Sequence, residues 1–442
     1  MEWVIAGGGF KGILAATILL KKGQKVTLIE KSNALGGVMR GIEWGKYHLD
    51  LGCQIFDNSS SEITSYLFDL MQQNIRKVDV NYAGMTKGCK SENYTVPDLT
   101  LCKVDFNIIK KELKEIASKP DIKKNETLSD YLDNRFGLYA AKFLKEAAYK
   151  KLQYDPTKLD ATAASLLFFD RVKLFDEKTS IKLKEQKFYD ERLAVFTNND
   201  AMQFYSEAAK FYPFRNFYPD NGGMRQFCDG ALEYLKEQGA KLIFEQSIES
   251  ISKDQIQLKN GDLKKVDRLI WAAELDVLES ILFDENSLKQ FIHPVPMVVV
   301  YFEVPVKNIG SYTYFHDHTP EQLIFRASAP GLYSGQVIDG KSYICCEVPT
   351  HLNSNIWLNA KAYINTIWQE ACNLKICSGE MPSTYKLLQA PITFKLPLVG
   401  YQKKFEKIQQ KILKDHSNII CIDPVQTSLT DIASNILKEL ES

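Results

Sequence analysis

The sequence predicts an α/β fold that begins with a Rossmann-like domain, and three observations lead to this class. Residues 2–29 read as an apolar run, a glycine cluster, a run of helix formers and a second apolar run, which is the order of a βαβ unit. Strand-like and helix-like stretches follow one another again over residues 225–271. The 442 residues are 45% hydrophobic and 25% charged, which supplies the cores of two or three domains of roughly 150 residues.

The charge balance disfavours nucleic acid as a partner. Lys plus Arg is 55 and Asp plus Glu is 55, so the formal net charge is zero, whereas nucleic-acid-binding proteins show a basic excess or stripe. Lysines do cluster at 110–124 and 403–414, but apolar residues lie between them, which is typical of solvated helix faces. Nucleic acid is therefore not an expected partner, and the zero net charge gives no indication of the charge of a substrate.

The sequence indicates a cytoplasmic protein without a membrane span. No stretch approaches the ~18 consecutive apolar residues of a spanning helix. The apolar run Gly12–Leu20 follows a glycine cluster with no basic segment before it, so we interpret it as a buried helix face and not as a signal peptide. The nine cysteines contain no CxxC, which suits reduced thiols. The oligomeric state is not predicted.

The first thirty residues carry a nucleotide-binding signature in its required context. Gly7 allows a tight turn, Gly9 lets a pyrophosphate approach the backbone, and Gly12 lets the helix pack close to the sheet. The helix amino terminus offers N–H groups and a partial positive charge to the phosphates. Glu30, 18 residues after Gly12, is placed to accept hydrogen bonds from a ribose diol. A dinucleotide without a 2′-phosphate is predicted.

A glycine doublet identifies a family resemblance. Gly36 and Gly37 follow six residues past Glu30, and Arg40 comes shortly after them. Here the sequence resembles the FAD-binding superfamily of amine oxidases, protoporphyrinogen oxidases, phytoene desaturases and UDP-galactopyranose mutases. The resemblance implies FAD as the cofactor, with the doublet lying against it and Arg40 facing a phosphate. Residues 47–56 look like the family's segment that reaches the flavin ring. In the mutases a histidine occupies the position of Gln54 in this segment.

A second stretch is similar to a further piece of the same FAD domain. A proline-glycine-glycine turn precedes a helix predicted over 225–238, and a strand is predicted over 240–244. In the family, the backbone near Ile248 contacts the adenine. Asn260-Gly261 predicts a two-residue hairpin.

The carboxyl-terminal stretch is similar to the last piece. A strand is predicted over 417–423, and a closing helix over 429–440. Ile422 stands where the family has a glycine, which predicts a looser approach of the backbone to the flavin. The resemblance thus implies a Rossmann-like FAD-binding domain assembled from residues 1–90, 215–275 and 396–442, and an inserted α+β substrate domain of residues 91–214 and 276–395.

The inserted domain is predicted to be helical first and stranded later. Helices are predicted over 108–117 and 128–136. Aromatic residues are dense over 188–218, and we expect them in a core more than in a pocket. The predicted strands are 297–303, 322–326 and 342–347. The resemblance implies that these strands form a sheet over the flavin.

The fingerprint and the resemblance together predict one cofactor site. Its residues are Gly7, Gly9, Phe10, Gly12, Glu30, Lys31, Gly36, Gly37, Arg40, Gln54, Ile248, Asp423 and Ser428.

No metal site is predicted. His316-Asp317-His318 lacks a third ligand nearby, and we expect it in a solvated loop. Cys345 and Cys346 are adjacent, so their side chains are expected on opposite faces of a strand as core thiols.

The predicted function is that of a FAD-dependent oxidoreductase of the amine oxidase or protoporphyrinogen oxidase type, in which a small molecule gives a hydride to the flavin. Because the cofactor carries such chemistry, no catalytic acid or base is predicted. One alternative is a flavin-dependent nucleotide-sugar mutase similar to UDP-galactopyranose mutase, and another is a non-catalytic dinucleotide-binding protein. The arginines considered for a diphosphate in the mutase are Arg326, Arg171, Arg192 and Arg215.

Overall fold

The computed structural model describes residues 2–58, 60–118, 126–194 and 213–422, together with Ala433 and residues 436–438. The strands are β1 (Glu2–Ala6), β2 (Lys25–Ile29), β3 (Ile42–Trp44), β4 (Tyr47–Leu49), β5 (Phe56–Asp57), β6 (Ile75–Val78), β7 (Tyr82–Thr86), β8 (Cys89–Glu92), β9 (Asn216–Pro219), β10 (Lys241–Ile243), β11 (Ile248–Ile251), β12 (Gln255–Leu258), β13 (Leu263–Lys265), β14 (Arg268–Trp271), β15 (Ile292–Pro305), β16 (Tyr314–Asp317), β17 (Arg326–Ser328), β18 (Lys341–Pro349), β19 (Tyr385–Pro397) and β20 (Ile419–Cys421).

The described α-helices follow the same chain order. They are α1 (Phe10–Lys21), α2 (Ser61–Leu70), α3 (Phe106–Ala117), α4 (Leu128–Phe136), α5 (Leu138–Leu152), α6 (Glu177–Lys184), α7 (Lys187–Asp190), α8 (Met224–Glu237), α9 (Leu275–Phe283), α10 (Pro330–Tyr333), α11 (Asn355–Leu358), α12 (Ile364–Asn373) and α13 (Tyr401–Asp415). Among these helices none is long and apolar enough to cross a membrane.

A five-stranded parallel sheet gathers strands from three distant stretches of the chain. Its order is β10-β2-β1-β14-β20, and β1 pairs in parallel with β2 and with β14. In β1 and β2 every residue after the first is buried, as expected for a parallel sheet covered on both faces. The predicted βαβ unit and the later predicted strands thus meet in one sheet.

Two groups of helices cover the faces of this sheet. Helices α1, α2 and α8 share a core with Ile5 and Leu28, whereas α9 and α13 share a core with Val4 and Trp271 on the other face. The helix predicted over 225–238 is confirmed as α8, one residue earlier at each end. The predicted hairpin is also confirmed, because β12 and β13 pair antiparallel on either side of its turn.

A seven-stranded sheet forms the other large layer, in the order β19-β15-β18-β17-β16-β7-β8. One face packs against α12 around Phe302 and Trp368. The opposite face carries Tyr301, Tyr343 and Cys345. Cys345 and Cys346 are both fully buried on opposite faces, which confirms the predicted core thiols.

Helices α3 to α7 form a layer with its own core. The helices predicted over 108–117 and 128–136 are confirmed as α3 and α4, and Thr127 and Asp130 form a capping box at the start of α4. Part of the aromatic stretch predicted over 188–218 lies outside the described residues.

The predicted domain boundaries remain predictions, with one observation to add. The hairpin β7–β8 belongs to the seven-stranded sheet, where β7 pairs in parallel with β16. A boundary at residue 90 therefore falls inside that sheet. The sequence does not predict this placement of β7 and β8, because the residues of a short hairpin do not indicate which sheet the hairpin will join.

Candidate cofactor and substrate site

The glycine cluster forms a tight turn between β1 and α1. Gly7 adopts a φ of +106°, a conformation that favours glycine. A Cβ on Gly12 would overlap the carbonyl oxygen of Gly7. Glycine is therefore required at position 12 for the first turn of α1 to lie against the end of β1, which is the role predicted for it.

Gly9 and Gly37 line an open edge beside this turn. Among the described residues, a Cβ on Gly9 would meet no heavy atom within 4 Å, and a Cβ on Gly37 would meet Gly9 Cα at 3.7 Å. Gly9 is the N-cap of α1 without a side-chain cap, and no acidic residue lies in the first turn. The helix N–H groups are thus left for an anion, and the backbone leaves it room. A pyrophosphate fits this edge.

Glu30 is fixed at the carboxyl end of β2, next to the glycine turn. Its carboxylate accepts the Gly8 N–H at 2.6 Å and the Ser32 N–H and hydroxyl at 2.8 and 2.7 Å. These bonds orient the carboxylate, and a carboxylate has lone pairs for more than three donors, so a ribose diol can still bind. The contact with Gly8 was not predicted from the sequence.

The glycine doublet is anchored to both the turn and α8. The Gly36 N–H donates to the Gly8 carbonyl at 2.8 Å. Gly36 has a φ of +110°, and a Cβ there would overlap the sulfur of Cys228. These contacts hold Gly37 beside Gly9.

Phe10 and Arg40, both predicted cofactor residues, use their side chains within the protein. The Phe10 ring packs 6.2 Å from that of Phe56, so a backbone contact is what Phe10 can offer a cofactor. Arg40 donates to Asp229 at 2.8 Å, which neutralises part of its charge. Its predicted phosphate contact remains a prediction.

The remaining predicted cofactor residues do not form one cluster in the described part of the chain. Lys31 is exposed at the end of β2, and Ile248 is buried in β11. Gln54 donates its side-chain N–H to the Leu51 carbonyl at 3.3 Å. Two predicted residues fall outside the described part of the chain, Asp423 and Ser428.

Asp50 is a buried carboxyl that sequence analysis missed, although an acid inside the apolar run of residues 47–51 was a usable signal. It accepts hydrogen bonds from the Tyr218 hydroxyl and from the Met224 N–H, the latter at 2.9 Å. Burial raises the pKa of Asp50 to about 7, and both hydrogen bonds oppose that shift. Asp50 thereby ties the segment around Gly52 to the amino terminus of α8.

An ion pair lies directly behind Gly52. Arg326 Nε and Nη2 donate to the two carboxylate oxygens of Glu347 at 2.6 and 2.7 Å. A Cβ on Gly52 would come within 2.9 Å of Arg326 Nη2, so the pair contacts the backbone of this segment. Burial raises the pKa of the neighbouring Cys53 thiol to about 12, which keeps the thiol protonated.

We call the side of the seven-stranded sheet that carries this pair the polar sheet face; it comprises Tyr82, Tyr301, Tyr314, His316, Arg326, Ser328, Tyr343 and Glu347. Strand pairing sets these residues opposite one another, since Arg326 pairs with Glu347 and His316 pairs with Arg326. Arg326 Nη1 also donates to the Tyr314 hydroxyl at 3.3 Å. The face therefore presents fixed hydrogen-bonding groups behind Gly52.

The four arginines considered for a diphosphate do not come together. Arg171 donates to the Asp190 carbonyl at 2.7 Å, and Arg192 donates to the Phe188 carbonyl at 2.7 Å, so both stabilise the helical layer. Arg215 lies 4.8 Å from the Tyr82 ring centre, beside the polar sheet face. Arg326, in its ion pair, is the member of the set that contributes directly to that face.

The expectation of a solvated loop at His316-Asp317-His318 was wrong. Residues 316 and 317 are in β16, and His318 is buried. Both imidazoles bond the Thr95 carbonyl, at 3.2 and 2.8 Å. Alternation along the strand put both rings on one side, and the neighbouring helical layer removed the solvent. Within the described ranges, no group of three potential ligands is placed to hold a metal.

Comparison with known families settles the class. The profile of the flavin containing amine oxidoreductases matches residues 12–328. The chain belongs to this family. Membership confirms the predicted superfamily, the FAD cofactor and the oxidoreductase class of this flavoprotein.

Two relatives with known activities match parts of the flavoprotein. It is 24% identical over 314 residues to the 1-hydroxycarotenoid 3,4-desaturase of Flavobacterium sp. (strain P99-3), which covers 65% of this chain and 60% of that relative's length. It is 44% identical over 52 residues to the 4,4'-diapolycopen-4-al dehydrogenase of Metabacillus indicus, or 12% of this chain and 11% of that relative.

Solved structures share the fold of the flavoprotein. Reduced UDP-galactopyranose mutase superimposes with a TM-score of 0.67 at 16% identity, over 95% of this chain and 87% of the other. A protoporphyrinogen oxidase-like protein from Exiguobacterium sp. 255-15 gives a TM-score of 0.64 at 14% identity, over 100% and 98%. At these identities the likeness establishes the fold and leaves the reaction open.

Proposed function

We propose that this flavoprotein oxidises a small organic molecule, with hydride transfer from the substrate to FAD. The observation that carries the proposal is the open edge at Gly9 and Gly37, next to the uncapped amino terminus of α1. Glu30 stands at the adjoining strand end with its carboxylate already oriented. These features suit a flavin dinucleotide, and bound FAD supplies the hydride acceptor.

Each part of FAD would be bound by a different group of residues. Glu30 would accept the ribose hydroxyls, and the backbone at Gly9, Phe10 and Gly37 would approach the pyrophosphate. Ile248 would contact the adenine through its backbone.

The substrate would lie beside the segment at Gly52, along the adjoining part of the polar sheet face. The Arg326–Glu347 pair and Tyr314 have fixed positions there, so they can orient a substrate without rearranging. Cys53 holds a protonated thiol and is not assigned a nucleophilic role. Whether a C–N or a C–C bond is oxidised, and which acceptor reoxidises the flavin, is left to a substrate screen.

The proposal is tested with Gly9→Ala, purified without added cofactor. Gly9 has a φ of −72°, and its added methyl group meets no described atom, so the variant should fold normally. The methyl group would occupy the pyrophosphate edge, and we expect FAD affinity to fall at least tenfold, about 1.4 kcal/mol. Flavin absorbance per protein and FAD titration of the apoprotein measure this.

Gly222→Ala is the matched control, because its Cβ would lie at an ordinary contact distance of 3.5 Å from Gln226 and Gly222 is not among the predicted cofactor residues. It should retain flavin. Equal flavin content in the Gly9 and Gly222 variants would contradict the placement of the pyrophosphate. A screen of amines, porphyrinogens and UDP-sugars against the oxidised and reduced protein follows, and binding of UDP-sugars by the reduced form alone would favour the mutase alternative.

A further inference from the structure

Lys151, near the end of α5, is a buried cation that the proposed oxidation does not use. Its side chain is nearly inaccessible, at 5% residue exposure. Its ammonium lies over three aromatic rings, 5.0 Å from the centre of Phe168, 5.5 Å from Phe325 and 6.0 Å from Phe394. The described residues provide cation–π contacts to this ammonium but neither a hydrogen bond nor an ion pair. Such a buried ammonium is costly, so it either loses its proton more readily or gains an anionic ligand.

The charged groups that face Lys151 come from three strands and its own helix. Glu347 is the nearby carboxylate, and both of its oxygens are already bound by Arg326. Lys150 is occupied by the carbonyls of residues 322 and 323. Burial and, to a smaller extent, the charge of Arg326 together lower the pKa of Lys151 to about 7, while the carboxylate of Glu347 opposes this shift.

His316 in β16 and His318 just after this strand complete these surroundings without adding charge. Burial lowers the pKa of His318 to about 4 and holds the pKa of His316 well below its usual range, so both are neutral at pH 7. With Lys151 protonated, the cluster of Lys151, Arg326 and Glu347 has one positive charge in excess.

Phe168 is the most exposed of the three rings around the Lys151 ammonium. It is 62% exposed, an unusual position for a large apolar ring, and its φ of +59° lies in the left-handed region. A bulky residue rarely adopts that conformation, because it is sterically unfavourable. Its neighbour Phe169 is buried and packs 5.8 Å from His318. The exposed ring can therefore move while its neighbour stays anchored.

We propose that Lys151 binds an anionic group of the substrate, a carboxylate or a phosphate, and that Phe168 moves aside to admit it. The proposal rests on the proposed function, because the cluster adjoins Arg326 and hence the Gly52 segment. An anion would supply the ion pair that Lys151 lacks and would cancel the excess charge. A protonated amine would meet two cations instead. The substrate class is thus an organic acid or phosphate ester.

The test measures binding of benzoate, inorganic phosphate and benzylamine to the purified holoenzyme, by flavin difference spectra and calorimetry. We expect benzoate or phosphate, but not benzylamine, to bind below pH 7. Lys151→Met keeps the length of the side chain without its charge and should weaken anion binding at least tenfold, with unchanged flavin content. Lys151→Arg should retain binding, and Lys142→Met, at an exposed position of the same helix, is the control.

The pH dependence of anion binding is a second test, and it does not require replacing Lys151 by an apolar residue. Anion binding requires protonated Lys151, so the wild-type affinity for benzoate, whose own charge is constant near neutral pH, should be constant below about pH 7 and fall up to tenfold per pH unit above it. Lys151→Arg should remove this fall, since its guanidinium stays charged. Phe168→Ala should speed association.

Three results would overturn the proposal: no binding of either anion to the flavin-loaded wild type, equal affinity in Lys151→Met, or preferential binding of benzylamine. Binding of benzoate alone supports a carboxylate, and binding of phosphate alone supports a phosphate ester. Failure of the proposed function is distinguishable, because it would appear as absent or irreducible flavin before any anion is added.

Discussion

In the turn between β1 and α1 the binding groups are backbone atoms of residues within six positions of one another, whereas on the polar sheet face they are side chains from separate strands. The turn leaves a compact glycine signature, because the φ of Gly7 favours glycine and the close approach at Gly12 leaves no room for a Cβ. The sheet face leaves no local signature, since Arg326 and Glu347 are 21 positions apart and meet only when β17 pairs with β18. Recognition by backbone can therefore be predicted from one short segment, and recognition by side chains needs the fold.

The largest effect should come from breaking the backbone turn with Gly12→Ala. The added methyl group would overlap the Gly7 carbonyl, and α1 cannot move away from the end of β1 without losing its packing on the sheet. We expect a loss of about 3 kcal/mol or more in the free energy of unfolding. Urea unfolding measures it against Gly222→Ala. Equal midpoints for the two variants would show that the turn is not as closely packed as described.

The corresponding way to break the polar sheet face is Glu347→Gln. The side chains of Arg326 and Glu347 are 20% and 4% exposed, so the variant leaves a largely buried guanidinium without its carboxylate. We expect a loss of about 3 kcal/mol in unfolding free energy. The double variant Arg326→Met/Glu347→Leu should recover most of it. If the single variant is as stable as the wild type, the pair does not organise this face.

A variant at Glu30 tests a side chain that acts together with the backbone turn, because its carboxylate accepts the Gly8 N–H. Glu30→Ala removes the predicted ribose contact and should weaken FAD binding by on the order of 1–3 kcal/mol. Glu30→Gln retains an oxygen that can accept the Gly8 N–H, so it should preserve stability better while still losing affinity. Titration of each apoprotein with FAD checks both. Unchanged affinity in the two variants would refute the ribose placement.

The smallest effect concerns Asp50, which lies between the two regions. Its pKa is about 7 in the folded protein and about 3.9 in an unfolded chain, so the folded protein holds the proton more tightly between these values. Stability should therefore fall as pH rises across this interval, by about 1 kcal/mol from pH 5 to pH 6. Asp50→Asn should remove this slope. Urea midpoints at several pH values measure it, and parallel slopes for both proteins would contradict the assignment.

Much of the fold could be predicted from the sequence, because its signals are local. The βαβ unit, α3, α4, α8 and the hairpin of β12 and β13 follow from apolar periodicity, glycines and a turn dipeptide. The sheet to which β7 and β8 belong could not be predicted, since strand pairing is decided between distant segments.

The same distinction applies to the site: the features set by nearby residues were predicted, and those that depend on distant segments were not. Gly7 and Gly12 have the structural tasks predicted for them, and Gly9 and Glu30 lie where a dinucleotide could meet them. His316 and His318 were misplaced because their burial depends on a neighbouring layer that local polarity does not reveal. Lys151 was missed for a related reason, since a lysine in a lysine-rich helix gives no sign that one ammonium is enclosed by three rings.

The measurement that tests the central claim most directly is a visible spectrum of the full chain purified without added cofactor. We predict flavin absorption bands that bleach with dithionite and return in air, which would establish a bound, redox-active flavin in the site at Gly9, Glu30 and Gly37. A colourless protein that also fails to take up added FAD would contradict the account. The open edge would then serve another dinucleotide or a non-catalytic role.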